Sequence, residues 1–229
     1  MNQSVGTVAL VSVGALVLYA GLRLVRGKVY DLVIVKMTTE WYREVLDLLP
    51  ANSRMLDVGI GTGMALIRNK AILDKKSIAV DGVDYDKDYI IDCKRNVAEH
   101  KMETSVQVVN ASIYEYTSEP VYDAIYFSGS LMIMPDPVKA LSHTASLLRP
   151  HGRIYVTQTI QTQKSWLTEV TKPLLKFVTT IDFGHVTYED ALLRAIQDAG
   201  LDVVLNKPIS GTSVHSVQSF RLLVLQKAT

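Results

Sequence analysis

The pattern of apolar and polar positions changes character along the chain. Residues 5–22 read VGTVALVSVGALVLYAGL, 18 positions of mostly Val, Leu, Ala and Gly, and no side chain from Met1 to Leu22 is charged. A helix over this run is about 27 Å long at ~1.5 Å per residue, close to the ~30 Å hydrocarbon core of a bilayer. From residue 29 the apolar residues become periodic. Leu32, Ile34, Val35, Trp41, Val45 and Leu48 recur with helical spacing over 29–49, and Pro50 ends that helix. Short apolar runs then alternate with helical stretches. The pattern predicts strands over 54–58, 77–83, 106–109, 122–127, 153–159, 201–205 and 220–226. It predicts helices over 64–73, 87–100, 137–148, 164–177 and from Thr187 to Ala199, with a turn at Pro150-His151-Gly152.

The caps support these boundaries. Asp136 is an N-cap residue ahead of Pro137 at the first helical position. Thr187 and Asp190 have capping-box spacing, and Gly200 stops the helix they open. Strands alternating with helices imply an α/β fold: a Rossmann-like, seven-stranded, mostly parallel sheet with helices on both faces, preceded by a single transmembrane helix. Two segments follow, an anchor with its basic flank over 1–28 and one domain over 29–229.

Arg23, Arg26 and Lys28 close the apolar run and place the body on the cytosolic side of a membrane. A cleaved signal peptide would carry its basic residues before the apolar run, and a transit peptide would be amphipathic and Arg-rich. A terminal helix that is apolar all round would need protein to cover it. The positive mean hydropathy of +0.16 agrees with an apolar segment outside an ordinary core. Of the 24 Lys and Arg, three fall in this flank, so the remaining 21 face 23 Asp and Glu. That near-neutral body has no basic excess to bind nucleic acid non-specifically. With 48% hydrophobic residues the chain is not mostly disordered. The single cysteine, Cys93, excludes an internal disulfide and a cysteine-rich metal site, and a buried, small apolar role suits it.

In an open α/β sheet, ligands bind outside the carboxyl ends of the strands, at the point where the strand order reverses. The first strand-to-helix turn reads Asp57-Val58-Gly59-Ile60-Gly61-Thr62-Gly63. Three glycines in five positions let the backbone bend sharply and let a ligand approach the main chain. A dinucleotide fingerprint needs its third glycine at position 64, where Met64 stands, and Asp57 would repel a pyrophosphate. The same acid suits a ligand carrying an ammonium or sulfonium charge. Asp84 follows Gly63 by 21 residues at the end of the second strand, where a carboxylate can accept from both hydroxyls of a ribose. Tyr85 can cover one face of an adenine. The alternative for Asp84 is a cap on the helix that begins near Lys87.

With MLDVGIGTGMAL (55–66), IAVDGVDYDKDYI (78–90), VQVVNASIYEY (106–116), YDAIYFSGSLMIMPDP (122–137) and LLRPHGRIYVTQ (147–158), the chain resembles class I S-adenosylmethionine-dependent methyltransferases over roughly 30–229. Its nearest flavour is the small-molecule and quinone-type group. The resemblance implies S-adenosyl-L-methionine as cofactor. Asp57, Gly59, Gly61 and Gly63 would hold its methionine part, Asp84 its ribose, and Tyr85 its adenine. Ser128 and Gly129 would pass near the sulfonium. The family usually places an acid after the third strand for the adenine amino group. Here Asn110-Ala111-Ser112 stands there, leaving Ser112 or a backbone group to substitute.

The stretch after the fourth strand, Ser128-Gly129-Ser130-Leu131-Met132-Ile133-Met134, lacks the Asn-Pro-Pro-aromatic run of amine and DNA methyltransferases. Met132 and Ile133 suggest an apolar acceptor pocket, and packing under the loop would explain them equally. His185 is the candidate general base, with Asp182 weaker. His143 and His151 read as structural. Tyr30, Trp41 and Tyr42 can line the pocket mouth, anchor the domain at the bilayer interface or pack in the core. Tethering raises the effective concentration at a bilayer, so the expected acceptor is a lipophilic small molecule or lipid. No nucleic acid partner and no metal are expected. The rivals are a membrane-tethered protein methyltransferase, a non-catalytic cofactor-binding scaffold and a nucleotide-dependent oxidoreductase.

Overall fold

A computed structural model describes residues 35–119, 121–161, 186–209, 212, 213 and 217–228. Within these the first element is helix α1 (Lys36–Leu48), followed by β1 (Arg54–Val58), α2 (Met64–Ile67), α3 (Lys70–Lys76), β2 (Ala79–Asp84), α4 (Lys87–Glu99) and β3 (Val106–Asn110). Then come β4 (Tyr122–Ser128), a 3₁₀ turn (Leu131–Ile133), α5 (Pro137–Ser146), β5 (Leu148–Gln161), α6 (Glu189–Asp198), β6 (Leu201–Pro208) and β7 (Gln218–Lys227).

The seven strands form one sheet in the order β3-β2-β1-β4-β5-β7-β6. The pairs from β3 to β5 are parallel, and β7 runs antiparallel to both β5 and β6. The order reverses between β1 and β4, so the crevice expected for a ligand lies above the turn that follows β1.

Alternation along β1 sends Met55 to one face of the sheet and Leu56 and Val58 to the other. The first face is covered by α1 to α4 through Trp41, Tyr42, Val45, Leu46, Ile67 and Cys93. The second carries Phe127, Leu131, Leu141, Ile160 and Ile196 under α5 and α6. Helix α1 is fixed at both its flank and its end. Trp41 meets Phe220 of β7 edge to face at 5.5 Å. The ammonium of Lys76 donates to the carbonyls of Leu46, Asp47 and Leu49 at 2.8–2.9 Å, satisfying the open C-terminal turn with a positive charge.

The cap at Asp136 forms as expected, accepting from the Lys139 amide at 2.9 Å. Three other expectations are corrected. The helix over 64–73 is two helices, because Asn69 is buried at the break and its amide donates to the carbonyls of Thr39 (3.0 Å) and Ala65 (2.9 Å). The turn at 150–152 lies within β5, whose register against β4 shifts between Tyr122 and Ala124 while His151 takes a φ of 67°. The capping box at Thr187 does not form. Tyr188 bridges to Gln161 and holds the chain extended, the helix starts at Glu189, and Asp190 pairs forward with Arg194 at 2.9 Å.

Residues 1–28, the expected membrane anchor, and the expected helix over 164–177 lie outside the described residues. Among the described residues no helix is long and apolar enough to cross a membrane.

Candidate active site

The first turn after β1 is built around left-handed glycines. Gly59, Gly61 and Gly63 have φ of 78°, 59° and 72°. These are conformations an L side chain adopts only with strain. Space is also closed: a Cβ on Gly59 would stand 2.6 Å from the Ser130 Cβ, and one on Gly63 would stand 2.7 Å from the Cys93 Sγ. The turn is tied to the second strand by the Gly59 and Ile60 amides donating to the Val83 carbonyl, and to α4 by the Asn96 amide donating to the Thr62 carbonyl at 2.9 Å. Ser130 donates to the Val58 carbonyl and so brings the loop after β4 over the same turn.

Asp57 is completely buried. The Tyr42 hydroxyl, reaching down from α1, donates to its Oδ2 at 2.8 Å, while its Oδ1 has no hydrogen-bond partner. Burial pushes the Asp57 carboxyl up to about 7; the Tyr42 bond opposes this rise and the nearby Asp84 adds to it. Burial, with the charges of Asp57 and Asp84, likewise pushes the Cys93 thiol up to about 12, which leaves it an inert, apolar neighbour of the loop.

Asp84, at the end of β2, is 9% exposed. Its Oδ2 accepts from the Gly61 amide at 3.0 Å and its Oδ1 from the Asp86 amide at 2.9 Å. The cap on α4 is Asp86, which accepts from Asp88 and Tyr89, so the helix does not need Asp84. Tyr85 is 74% exposed at the rim. Asn110 holds this rim, its amide donating to the carbonyls of Asp84 (2.9 Å) and Tyr85 (3.0 Å). Ser112, half-buried just beyond β3, opens a turn in which its carbonyl accepts from the Glu115 and Tyr116 amides.

Beside the turn lies a cleft lined among others by Thr38, Tyr42, Gly59, Thr62, Met64 and Ser128. Ser128 ends β4, and its Oγ is buried near the Tyr126 hydroxyl. Met132 and Ile133 sit on the 3₁₀ turn beyond it, the first half-buried and the second 36% exposed. His143 is packed on α5 with its Nε2 2.8 Å from the Tyr116 carbonyl oxygen, a structural position. His185 and Asp182 lie outside the described residues, as does Tyr30. Trp41 is core. Tyr42 takes two of its three expected places, in the core under α1 and in the lining of the cleft, and there it also contacts the buried acid. Among the described residues no group of three or more His, Cys, Asp or Glu could hold a metal ion.

Comparison with known proteins agrees with this geometry. A family model described as a methyltransferase domain matches residues 34–206. A ubiquinone biosynthesis O-methyltransferase of Aeromonas salmonicida (strain A449) is 25% identical over 114 residues, 50% of this chain and 46% of that protein. A tRNA1(Val) (adenine(37)-N6)-methyltransferase of the same strain is 33% identical over 100 residues, 41% of each chain. The matched part spans less than half the length of these curated relatives. Among solved structures, the mitomycin 7-O-methyltransferase MmcR superposes with a TM-score of 0.66 at 15% identity, covering 84% of this chain and 54% of that one. A geranyl diphosphate C-methyltransferase from Streptomyces coelicolor A3(2), solved with Mg²⁺, geranyl diphosphate and S-adenosyl-L-homocysteine, gives 0.65 at 13% identity, covering 84% and 77%. At these identities the structural matches establish the fold alone.

Proposed function

Since the chain belongs to the methyltransferase-domain family matched over 34–206, we propose that it transfers a methyl group from S-adenosyl-L-methionine to a lipophilic small molecule or lipid. The observation that carries the donor assignment is the unpaired Oδ1 of a fully buried Asp57, whose hydrogen-bond partner Tyr42 lines the cleft together with the left-handed Gly59 and Gly63. A buried carboxylate oxygen without a donor costs free energy, and a cationic ligand group would offset it. When bound, S-adenosyl-L-methionine supplies a methyl group on a sulfonium, ready for in-line displacement by the acceptor.

The chain's own residues then have distinct tasks. Asp57, Gly59, Gly61 and Gly63 would receive the methionine end, and the absence of a Cβ at Gly59 lets Ser130 pack against the turn. Asp84 would hold the ribose hydroxyls, and the Gly61 and Asp86 amides help to orient its carboxylate. Exposed Tyr85 would fold onto the adenine, with Ser112 behind it. Ser128 would border the reacting groups. Positioning acceptor and methyl in a dry cleft supplies much of the rate, and a base is needed only where the acceptor must lose a proton. His185 is the residue we propose for that step.

The acceptor class rests on the apolar segment over 1–28, read as a single-pass anchor that holds the domain over 29–229 at the cytosolic face of a membrane, and on the Met132/Ile133 turn. One relative methylates an adenine in tRNA by name, yet here Ser128-Gly129-Ser130-Leu131 stands where amine methyltransferases carry Asn-Pro-Pro-aromatic, and the charge is only +1. Two experiments test the proposal. Calorimetry with S-adenosylhomocysteine and with NAD separates the donor reading from an oxidoreductase, and binding of NAD alone would overturn it. Mass spectrometry of lipid extracts incubated with isotopically labelled donor, with and without residues 1–28, is expected to reveal one added methyl with the full chain. Labelling confined to proteins would favour the protein methyltransferase instead.

A further inference from the structure

The two ends of the sheet differ in what they show to solvent. Among the described residues, the exposed large apolar side chains include Tyr85, Val109, Ile133 and Val217 at the carboxyl edge, where β2 and β3 end, β4 gives way to its 3₁₀ turn, and β7 begins opposite the last residue of β5. At the amino edge, among the same residues, Leu48 is the one such side chain, and the rest lie along the flanks. After β4 the run Leu131-Met132-Ile133-Met134 keeps Leu131 buried and leaves the other three partly open to solvent. Polar groups divide the other way. At the amino edge Arg149 pairs with Asp123 at 3.1 Å, and Lys101, Glu103 and Arg153 are exposed. At the carboxyl edge Asp86 and Asp136 are turned onto amides as the caps of α4 and α5, and exposed Asp88 has Lys87 beside it.

Helix α1 ties the carboxyl edge to the N-terminal segment. Its start is at the cleft, where Val35 and Thr38 line the wall with Gly59 and Gly63. Its last turn is at the amino edge, where Lys76, the final residue of α3, holds the carbonyls of Leu46, Asp47 and Leu49. The 13 residues of α1 separate these ends by about 20 Å. Lys28, the end of the basic flank, precedes Val35 by seven residues, and seven residues in any conformation span at most about 25 Å. A tether that short, attached on the cleft side of the domain, brings the carboxyl edge to a membrane more readily than the amino edge. Arg23, Arg26 and Lys28 supply the positive charge toward lipid phosphates that the carboxyl edge lacks.

We propose that the carboxyl edge of the sheet, with the Met132-Ile133-Met134 turn foremost, lies against the bilayer entered by the segment over 1–28. The cleft then opens toward the lipid, and an acceptor dissolved there reaches it without crossing water. The inference rests on the anchored methyltransferase reading above and adds the face by which the domain meets the membrane.

The test uses the full chain in vesicles of phosphatidylcholine and phosphatidylserine, with and without a lipid carrying a nitroxide at headgroup level. Val217→Cys, Ile133→Cys and Leu48→Cys are each labelled with an environment-sensitive fluorophore, while the native Cys93 is buried and stays unlabelled. Labels at 217 and 133 are expected to lose about half of their emission to the nitroxide, and the label at 48, about 20 Å farther away, to keep nearly all of it. Each labelled variant is expected to melt at the wild-type temperature. Should Ile133→Cys melt lower, Val217→Cys, outside the acceptor turn, carries the comparison. Quenching that is equal at the two ends, absent from both, or stronger at 48 in a chain that floats with the vesicles overturns the docking face and leaves the anchor standing. A chain that stays behind when the vesicles float overturns the anchor and this inference with it.

Discussion

Replacing Tyr42 by Phe removes one hydroxyl and tests the central contact of the cleft. That hydroxyl donates at 2.8 Å to Asp57 Oδ2, and the acid is completely buried with its other oxygen unpaired. Burial already lifts the carboxyl to about 7, Tyr42 opposes the rise, and Asp84 reinforces it. The Tyr126 hydroxyl and the Cys93 thiol also face this charge, and both are held neutral by burial. Loss of the Tyr42 bond therefore raises the pKa further. A hydrogen bond to a charged group contributes about 1.5–3 kcal/mol, which moves the ionisation midpoint upward by about one to two pH units. A cationic donor needs the ionised acid. At pH 7.5 that shift alone lowers donor affinity by about 3- to 25-fold, and most of the loss recovers near pH 9. Calorimetric titration with S-adenosylhomocysteine from pH 6 to 9 reads both effects. Equal affinity of Tyr42→Phe and wild type across that range would refute the role given to the pair.

Three further outcomes follow from the same geometry. Asp57→Asn is expected to lose donor binding yet to gain thermal stability on the order of a few kcal/mol above pH 7. The folded pKa of Asp57 lies above its unfolded value, so the carboxylate's contribution to stability falls as pH rises from about 4 through about 7, and the amide escapes that loss; a melting temperature below wild type at pH 8 would contradict this. Asp84→Ala is expected to abolish measurable donor binding with circular dichroism unchanged, since Asp86 and not Asp84 caps α4; undiminished calorimetric affinity would remove the ribose role. Gly59→Ala combines a φ of 78° with a Cβ 2.6 Å from that of Ser130, so a destabilisation of about 1–3 kcal/mol is expected in denaturant melts, together with weaker donor binding.

The alternation of strands and helices was legible because the first four strands are short, 5–7 residues each, and because Asp136–Pro137 and Gly200 mark helix ends by local chemistry alone. The corrections came where a tertiary contact overrode a local signal. Asn69 looks like any polar residue on a helix until Thr39 of α1 offers its carbonyl from 30 positions away. Thr187 and Asp190 have the right spacing for a capping box, but the bridge of Tyr188 to Gln161 fixes the backbone one residue later than the box requires. Periodicity carries no information about either event.

The site divides in the same way. Asp57, the three glycines and Asp84 could be placed because two constraints act on neighbouring residues: the chain must turn sharply after β1, and a carboxylate must end β2 beside it. The contact of Tyr42 with the acid and the part played by Asn110 could not, because both depend on distance in space. Tyr42 reaches an acid 15 residues on, and Asn110 holds two carbonyls about 25 residues back. A buried polar side chain in an apolar strand is nonetheless a readable sign. In Tyr155-Val156-Thr157-Gln158-Thr159-Ile160-Gln161 the carboxamides interrupt a run that packing alone would fill with aliphatics. Both are buried in the sheet, where strand alternation turns Gln158 toward the face under α5 and α6 and Gln161 toward the other.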